Sequence, residues 1–225
     1  MKQTREMLAA HHRDGVAFAQ LMKDTFAERF NDEFWTLWEK AIAPVLSATP
    51  TILDIGAGPG MLLQALAARY PGVRGIGVEC APYMFNAAIE LAENCEIISA
   101  DLHDPHLPLE EGSVDAAIAS VVLHEMHQPV RAMQEVNRCL KKGGRFYVFD
   151  WVRAPLEDYL SRSDFAVFDQ QVPVSVLDDL FIHFIEHNRF STDDLAFLLG
   201  KTGFKVLEKA SIYKGRQARL IAEKI

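Results

Sequence analysis

The segment "ILDIGAGPG" at residues 52–60 constrains the fold of this chain more than any other feature. A strand-like apolar run leads into Gly56, Gly58 and Gly60, and an amphipathic helix pattern follows at once. Glycine adopts positive φ without steric cost and lets a ligand approach the backbone, while the start of a helix offers free N–H groups. The segment therefore predicts a nucleotide-binding loop, with an ordinary strand-to-helix turn as the alternative.

From residue 51 to Asp150, short apolar runs alternate with helical patterns, which is typical of a parallel sheet with helices on both faces. The last two apolar runs, "FKVLEKA" and "ARLIAEKI", are separated only by "YKGR" and predict an antiparallel hairpin. We therefore predict an α/β fold with a seven-stranded, mostly parallel, doubly wound sheet. Its core would comprise residues 49–150 and 192–225.

Two further segments would cover this core. Residues 1–48 predict an N-terminal helical cap of two helical segments that share one apolar stripe, formed by Phe18, Leu21, Met22, Phe26 and Phe30. Residues 151–191 predict an aromatic-rich cap insertion over the carboxyl edge of the sheet, containing Trp151, Tyr159, Phe165, Phe168, Phe181, Phe184 and Phe190. A helix over 192–200 would follow, capped by Ser191 or Thr192.

Composition narrows the class of partner. The net charge of −8 and the isoelectric point near 5.5 argue against nucleic acid, which is bound through clustered Lys and Arg. The cysteines lack a CxxC pair, and no apolar run is long enough for a membrane span. We expect a cytoplasmic protein with a small-molecule substrate, and a homodimer as one possible assembly.

Two acidic residues stand at the ends of the two predicted strands that come after the glycine loop. Glu79 closes the strand "GIGVE", and Asp101 follows "EIISA". In a doubly wound sheet, ligands bind outside the carboxyl ends of the strands, where an acid after the second strand can accept both hydroxyls of a ribose. Glu79 has that predicted position, and the alternative is a solvated loop carboxylate.

The segments "LDIGAGPG", "GVE", "ADLHD", "FDWV" and "LKKGG" together resemble the class I S-adenosylmethionine-dependent methyltransferase family. The resemblance covers roughly residues 50–150 and 192–225, and is nearest to the ubiquinone and menaquinone C-methyltransferase type. It implies S-adenosylmethionine as the cofactor, with Glu79 on the ribose and Asp101 and Leu102 at the adenine. The residues that would surround the rest of the cofactor are Asp54, Gly56, Ala57, Gly58, Gly60, Cys80 and Ser120.

Two other functions are weighed against methyl transfer. An NAD-dependent oxidoreductase has the spacing G-x-G-x-x-G, whereas the third glycine here comes one residue sooner, and Asp54 stands where an apolar residue is usual. An inactive, cofactor-binding partner in an assembly would keep the same glycines and acids. Only turnover of an acceptor separates that alternative from an enzyme.

The loop after the fourth strand, within "ASVVLHEMHQP" at 119–129, supplies the candidate catalytic residues. Histidine is the natural base near neutral pH, so His124 is the first candidate general base and His127 the second. The alternative is that both histidines only bond to loop backbone. The strand end "SVVL" does not match the pattern of nucleobase amino-methyltransferases, which disfavours a nucleic-acid substrate further.

The segment "HFIEH" at 183–187 has the H-x-x-E-H order of some zinc peptidases. A peptidase needs a third ligand and an open site, so ordinary amphipathic helix residues are the favoured interpretation and we assign no metal. One hypothesis stays open, in which His183 or His187 joins His124 and His127 around a metal ion.

Overall fold

The structure is a computed structural model that describes residues 2–161 and 166–225. Its sheet has seven strands in the order β3-β2-β1-β4-β5-β7-β6, with β1 to β5 parallel and β7 antiparallel to both β5 and β6. This order confirms the predicted fold class. The strands are β1 Thr51–Ile55, β2 Arg74–Glu79, β3 Cys95–Ser99, β4 Val114–Ser120, β5 Leu140–Trp151, β6 Phe204–Ile212 and β7 Gln217–Lys224.

Helices cover both faces and the carboxyl edge. They are α1 Lys2–His12, α2 Gly15–Asp24, α3 Phe26–Arg29, α4 Asp32–Ala41, α5 Met61–Arg69, α6 Pro82–Asn86, α7 Val130–Cys139, α8 Leu156–Leu160, α9 Val174–His187 and α10 Thr192–Lys201. Among the described residues, no helix combines the length and the apolar character that crossing a membrane requires.

The prediction of two N-terminal helical segments was wrong, because the structure has four helices there. Asp14 starts α2 by accepting hydrogen bonds from the backbone N–H groups of Val16 and Ala17, and Asn31 starts α4 in the same way. Such capping residues divide a continuous apolar pattern into separate helices. The side chain of Leu21, placed in the predicted stripe, is exposed as a result.

The run "PYMFNAAIELA", which predicts a full helix, forms only the five residues of α6. Beyond it the chain turns back on the glycine loop, where the Ile89 N–H donates to the Pro59 carbonyl at 3.0 Å. Leu91 then packs over Gly60, so close that a Cβ on this glycine would lie 2.8 Å from the Leu91 side chain. A tertiary contact thus overrides the local helical pattern.

The cap insertion contributes α8 and α9 in its described part. Phe165 lies outside the described residues, and Phe168 is exposed. Ser191 caps α10 through a reciprocal pair of hydrogen bonds with Asp194, as the sequence predicts. The division of the chain at residues 48, 150 and 191 stays a prediction.

The two faces of the sheet bury separate apolar clusters, because successive strand residues point to opposite sides. Leu53 packs with Phe146 and Met133 on one face, whereas Ile52 packs with Trp38 on the other. These packed faces leave the carboxyl ends of the strands as the edge where polar side chains gather.

Asp115 fastens the segment before β1 to β4. Its carboxylate accepts hydrogen bonds from the N–H groups of Ser47 at 3.0 Å and Thr51 at 2.9 Å, and from the Lys141 ammonium at 2.8 Å. Burial raises the pKa of Asp115, but these donors outweigh burial and hold it below its ordinary value.

We predict that Asp115→Asn lowers the free energy of unfolding by about 1–3 kcal/mol at pH 7, since a charged acceptor of three hydrogen bonds is lost. Because the pKa of Asp115 is depressed in the folded state, this contribution is present above its unfolded pKa and is lost as pH falls through the folded pKa. Urea unfolding at several pH values measures both effects. The exposed Asp178→Asn is the control, and equal losses in both variants would contradict the prediction.

Candidate active site

The glycine loop between β1 and α5 is held in a conformation that requires glycine. Gly56 has φ +73°, and a Cβ there would lie 2.5 Å from the Val122 side chain. Gly58 has φ +52°, but a Cβ there would meet only the Met84 sulfur at 3.8 Å. The loop is therefore closed behind Gly56 and leaves open space in front of Gly58.

Glu79, at the end of β2, fastens this loop to the neighbouring strand. One carboxylate oxygen accepts the Gly58 N–H at 3.0 Å, and the other accepts the N–H groups of Cys80 at 2.7 Å and Ala81 at 2.8 Å. The side chain is buried, and burial raises the pKa of Glu79 although these donors oppose the rise. Glu79, which the sequence predicts at this strand end, thus stabilises the conformation of the glycine loop.

A cavity lies above the loop. It combines a mostly apolar lining with a few polar groups, as small-molecule sites usually do. One wall consists of the glycine loop and the strand ends, and the opposite wall comes from α1, α2 and the segment through α3. The apolar side chains of that opposite wall are Met7, Leu8, Phe18, Met22, Phe26 and Phe30.

Eight of the ten predicted cofactor residues line this cavity, namely Asp54, Gly56, Ala57, Gly58, Glu79, Cys80, Leu102 and Ser120. Gly60 instead lies under Leu91 at the start of α5. Asp101 turns toward α1, where its carboxylate accepts a hydrogen bond from the Thr4 hydroxyl at 2.7 Å.

Asp54 and Arg29 place opposite charges in the cavity wall. Burial, followed by the negative charge of Glu79, raises the pKa of Asp54 to about 7, while Arg29 opposes the rise. The Arg29 guanidinium is held by the Met22 carbonyl at 2.9 Å and the Thr25 hydroxyl at 2.8 Å. Arg29 is not among the residues predicted from the sequence, although a lone cation between Phe26 and Phe30 of the apolar stripe is a usable signal.

The two candidate catalytic histidines occupy different places. His124 is buried, does not line the cavity, and bonds through Nδ1 to the Asp150 carboxylate at 2.6 Å. Burial disfavours its charged form, but Asp150 outweighs burial and raises the pKa of His124. His127 is exposed, with its ring 5.8 Å from that of His103. The base role of either histidine stays a prediction.

Glu125, the residue after His124, does reach the cavity, and so does His12 from α1. The Glu125 carboxylate accepts the Nε2–H of His12 at 2.8 Å, and His12 Nδ1 accepts from the Tyr83 hydroxyl. Burial raises the pKa of Tyr83, so its hydroxyl stays protonated and is able to donate to His12 Nδ1. Burial also favours protonation of Glu125, but the bond from His12 lowers its pKa below the ordinary value.

The hydrogen bonds from Tyr83 through His12 to Glu125 are not predicted from the sequence. His12 and Glu125 are 113 residues apart, and only the fold brings them together. The adjacent pair His11–His12, at the end of an otherwise ordinary helix pattern, was the available signal.

Comparison with known proteins finds a matching protein family. The family model described as a methyltransferase domain matches residues 53–148, which include the glycine loop, Glu79 and the loop with Glu125. Residues 53–148 are thus similar to a methyltransferase domain, in agreement with the resemblance of this part of the chain to class I S-adenosylmethionine-dependent methyltransferases. The cofactor of this chain is accordingly S-adenosylmethionine.

Curated relatives match over part of their length. A demethylmenaquinone methyltransferase from Clavibacter sepedonicus is 30% identical over 147 residues, which are 64% of this chain and 58% of the relative. A ubiquinone/menaquinone biosynthesis C-methyltransferase from Syntrophotalea carbinolica is 32% identical over 108 residues, 47% of this chain and 46% of the relative. The first relatives are thus covered over only 35% to 58% of their own length.

Solved structures share the fold. An S-adenosylmethionine-dependent methyltransferase from Aquifex aeolicus superposes with a TM-score of 0.65 at 18% identity, covering 93% of this chain and 98% of that one. Human N-acetylserotonin methyltransferase superposes with a TM-score of 0.60 at 18% identity, covering 97% of this chain and 59% of that one. At this identity the likeness concerns the methyltransferase fold alone.

The cavity of this methyltransferase domain fits the cofactor. Within the described part of the chain, the buried Ser120 hydroxyl at the cavity has no hydrogen-bond partner. The open space before Gly58 admits a ligand, and Asp54 and Arg29 complement the ammonium and carboxylate groups of a methionine moiety. Both polar and apolar parts of S-adenosylmethionine therefore meet suitable surfaces.

We predict that Glu79→Ala weakens binding of S-adenosylhomocysteine at least about tenfold, because the variant loses the carboxylate and the loop bonds that it holds. Titration calorimetry measures the affinity, and circular dichroism checks the fold. Glu90→Ala removes an exposed carboxylate beside the site and should leave binding unchanged. Equal affinities of the wild type and Glu79→Ala would contradict the assignment.

Asp54 predicts a pH dependence of the cofactor-free protein. A carboxyl group whose folded pKa is raised to about 7 contributes stability that is present below its unfolded pKa and is lost as pH rises through 7. We expect Asp54→Asn to flatten the fall in unfolding free energy between pH 5 and 8 that the wild type shows. Urea unfolding tests this, with the exposed Asp104→Asn as control; parallel curves for wild type and Asp54→Asn would refute it.

Proposed function

We propose that this protein transfers the methyl group of S-adenosylmethionine to a small, apolar acceptor bound between the glycine loop and the N-terminal helices. One observation carries the proposal. The same cavity joins the cofactor residues to a wall of apolar side chains from α1 to α3. The net charge of −8 supports a small molecule over a nucleic acid. The expected homodimer and cytoplasmic location stay predictions.

The cofactor residues receive separate roles. Arg29 would bind the carboxylate of the methionine moiety, and Asp54 its ammonium group, since both charges face the cavity. Glu79 would accept the ribose hydroxyls, and Leu102 would cover the adenine. Ser120 lies at the end of β4 and would donate its free hydroxyl to the cofactor.

Methyl transfer from a sulfonium is an in-line displacement, so the protein mainly aligns the acceptor and removes its proton. Glu125 is the ionised carboxylate at the cavity wall, held in place by His12. It would accept a hydrogen bond from an acceptor O–H or N–H group. As the acceptor atom gains the methyl group, its proton becomes strongly acidic and passes to this carboxylate, even though the pKa of Glu125 is low.

His124 then acts through the loop instead of at the acceptor. Asp150 accepts both His124 Nδ1–H and the Leu123 N–H at 2.6 Å, which fixes the backbone that carries Glu125. We therefore propose His124 as a positioning residue. We give the exposed His127 no role in catalysis.

The class of acceptor follows from the cavity wall. Its aromatic members Phe18, Phe26 and Phe30 suit an aromatic or similarly flat acceptor. The names of two relatives, which refer to menaquinone and ubiquinone precursors, support a quinol-like ring as the first compound to test. The partial coverage of those relatives leaves the tail of such a molecule unassigned.

The deciding experiment follows transfer of a labelled methyl group from S-adenosylmethionine to a panel of hydroxylated aromatic compounds, including a demethylated naphthoquinol. We expect methylated product, and we expect Glu125→Gln to lower kcat at least about tenfold. Its affinity for S-adenosylhomocysteine should change less than about twofold.

Glu110→Gln, which alters an exposed carboxylate outside the cavity, is the matched control and should keep full turnover. Binding of S-adenosylhomocysteine without methylation of any compound in the panel would overturn the proposed acceptor class and favour a cofactor-binding partner. An unchanged kcat in Glu125→Gln would remove Glu125 from the chemistry.

A further inference from the structure

Beside His12, histidines from three distant segments meet outside the lining of the cavity. His11 comes from α1, His183 and His187 from α9, and His124 from the loop after β4. The ring centroids of His183 and His187 are 4.2 Å apart, and that of His11 lies 5.7 Å and 5.5 Å from them. His124 stacks on His187 at 5.1 Å. The proposed methyl transfer does not use His11, His183 or His187.

We propose that His11, His183 and His187 bind a divalent transition-metal ion such as zinc. One ring nitrogen of each residue lies within 4.8 Å of those of the other two. Three nitrogens on a tetrahedral zinc ion are about 3.3 Å apart, given Zn–N bonds of about 2.0–2.1 Å. Small inward rotations of the three rings would bring the nitrogens from the observed spacing to the spacing that zinc requires.

The hydrogen bonds around these rings already fix the nitrogens for a metal. His11 Nδ1 bonds to the Glu186 carboxylate at 2.6 Å, and His187 Nδ1 to the His183 carbonyl at 3.0 Å. Both partners only accept, so each Nδ1 carries the proton and each Nε2 keeps its lone pair. His183 Nδ1 bonds to the Tyr159 hydroxyl at 3.0 Å; a hydroxyl can donate or accept, and when it accepts, the Nε2 of His183 is also free for a metal. Such outer partners are the usual supports of metal-bound histidine.

The chemistry of the three side chains suits such an ion. Imidazole nitrogens are ligands that zinc, copper, nickel and cobalt all bind.

A second group, His11 with His12 and Glu125, has the same spacing. In it both ring nitrogens of His12 are occupied, Nδ1 by Tyr83 and Nε2 by Glu125. A metal there would break these bonds at the cavity wall. The set with His183 and His187 requires no such loss and is the one we favour.

The ion would fasten the cap helix α9 to α1. Among the described residues of α9 none is fully buried, so apolar packing holds this helix only weakly. A bound ion would add a strong link next to His12, whose ring lies 5.0 Å from that of His11. Three protein ligands also leave a coordination position open, as in metal sites that bind water or a substrate oxygen.

Metal binding is testable on the whole chain without cofactor or turnover. We expect Zn²⁺ to bind at one ion per chain in titration calorimetry, and Co²⁺ to give the visible absorption of tetrahedral coordination. His183→Gln and His187→Gln should each weaken Zn²⁺ binding at least about tenfold. Zn²⁺ should raise the melting temperature of the wild type and not of these variants.

His106→Gln removes an exposed histidine outside the cluster and should bind Zn²⁺ like the wild type. Circular dichroism and S-adenosylhomocysteine binding show that each variant is folded, and the Co²⁺ spectrum of the wild type requires no variant. A wild type that binds neither ion overturns the proposal, and so does binding lost in His12→Gln but kept in His183→Gln. Metal binding without methyl transfer would contradict only the proposed function.

Discussion

The site depends on one buried carboxylate. Glu79 accepts three backbone N–H groups, from the glycine loop and from the start of the next loop, and so joins β1 to β2 at their carboxyl ends. Backbone hydrogen bonds from Gly56 and Ala57 to the Val78 carbonyl hold the start of the loop against β2, and Glu79 holds Gly58 beyond them. The open space before Gly58, and with it the cofactor cavity, depends on both sets of bonds.

The cavity is built from two walls of different origin. The sheet supplies the polar wall, with Asp54 and Glu79 at the ends of neighbouring strands, whereas the N-terminal helices supply the apolar wall and Arg29. Chemistry is expected where the walls meet, at Glu125 and His12. The histidines of α9 do not line the cavity, so a metal ion bound to them and to His11 would link α9 to α1.

The sheet could be predicted from local patterns of apolar residues. Strands buried on both faces and alternating with helices give apolar runs that are visible without any tertiary information. The same reasoning failed after α6, where a backbone hydrogen bond from Ile89 to Pro59 redirects the chain. It also failed for the first helices, because Asp14 and Asn31 act as caps inside a continuous apolar stripe.

The sequence by itself determined the fold class, the glycine loop and the position of Glu79 at a strand end, since these depend on short-range spacing along single strands and turns. Only the tertiary structure decided which side chains face the cavity. In the folded chain, Asp101 bonds to Thr4 and His124 is buried against Asp150. Glu125, and not His124, lies at the cavity wall. The physical reason is that contacts between His12 and Glu125, or among His11, His183 and His187, join segments more than a hundred residues apart, and no local pattern encodes them.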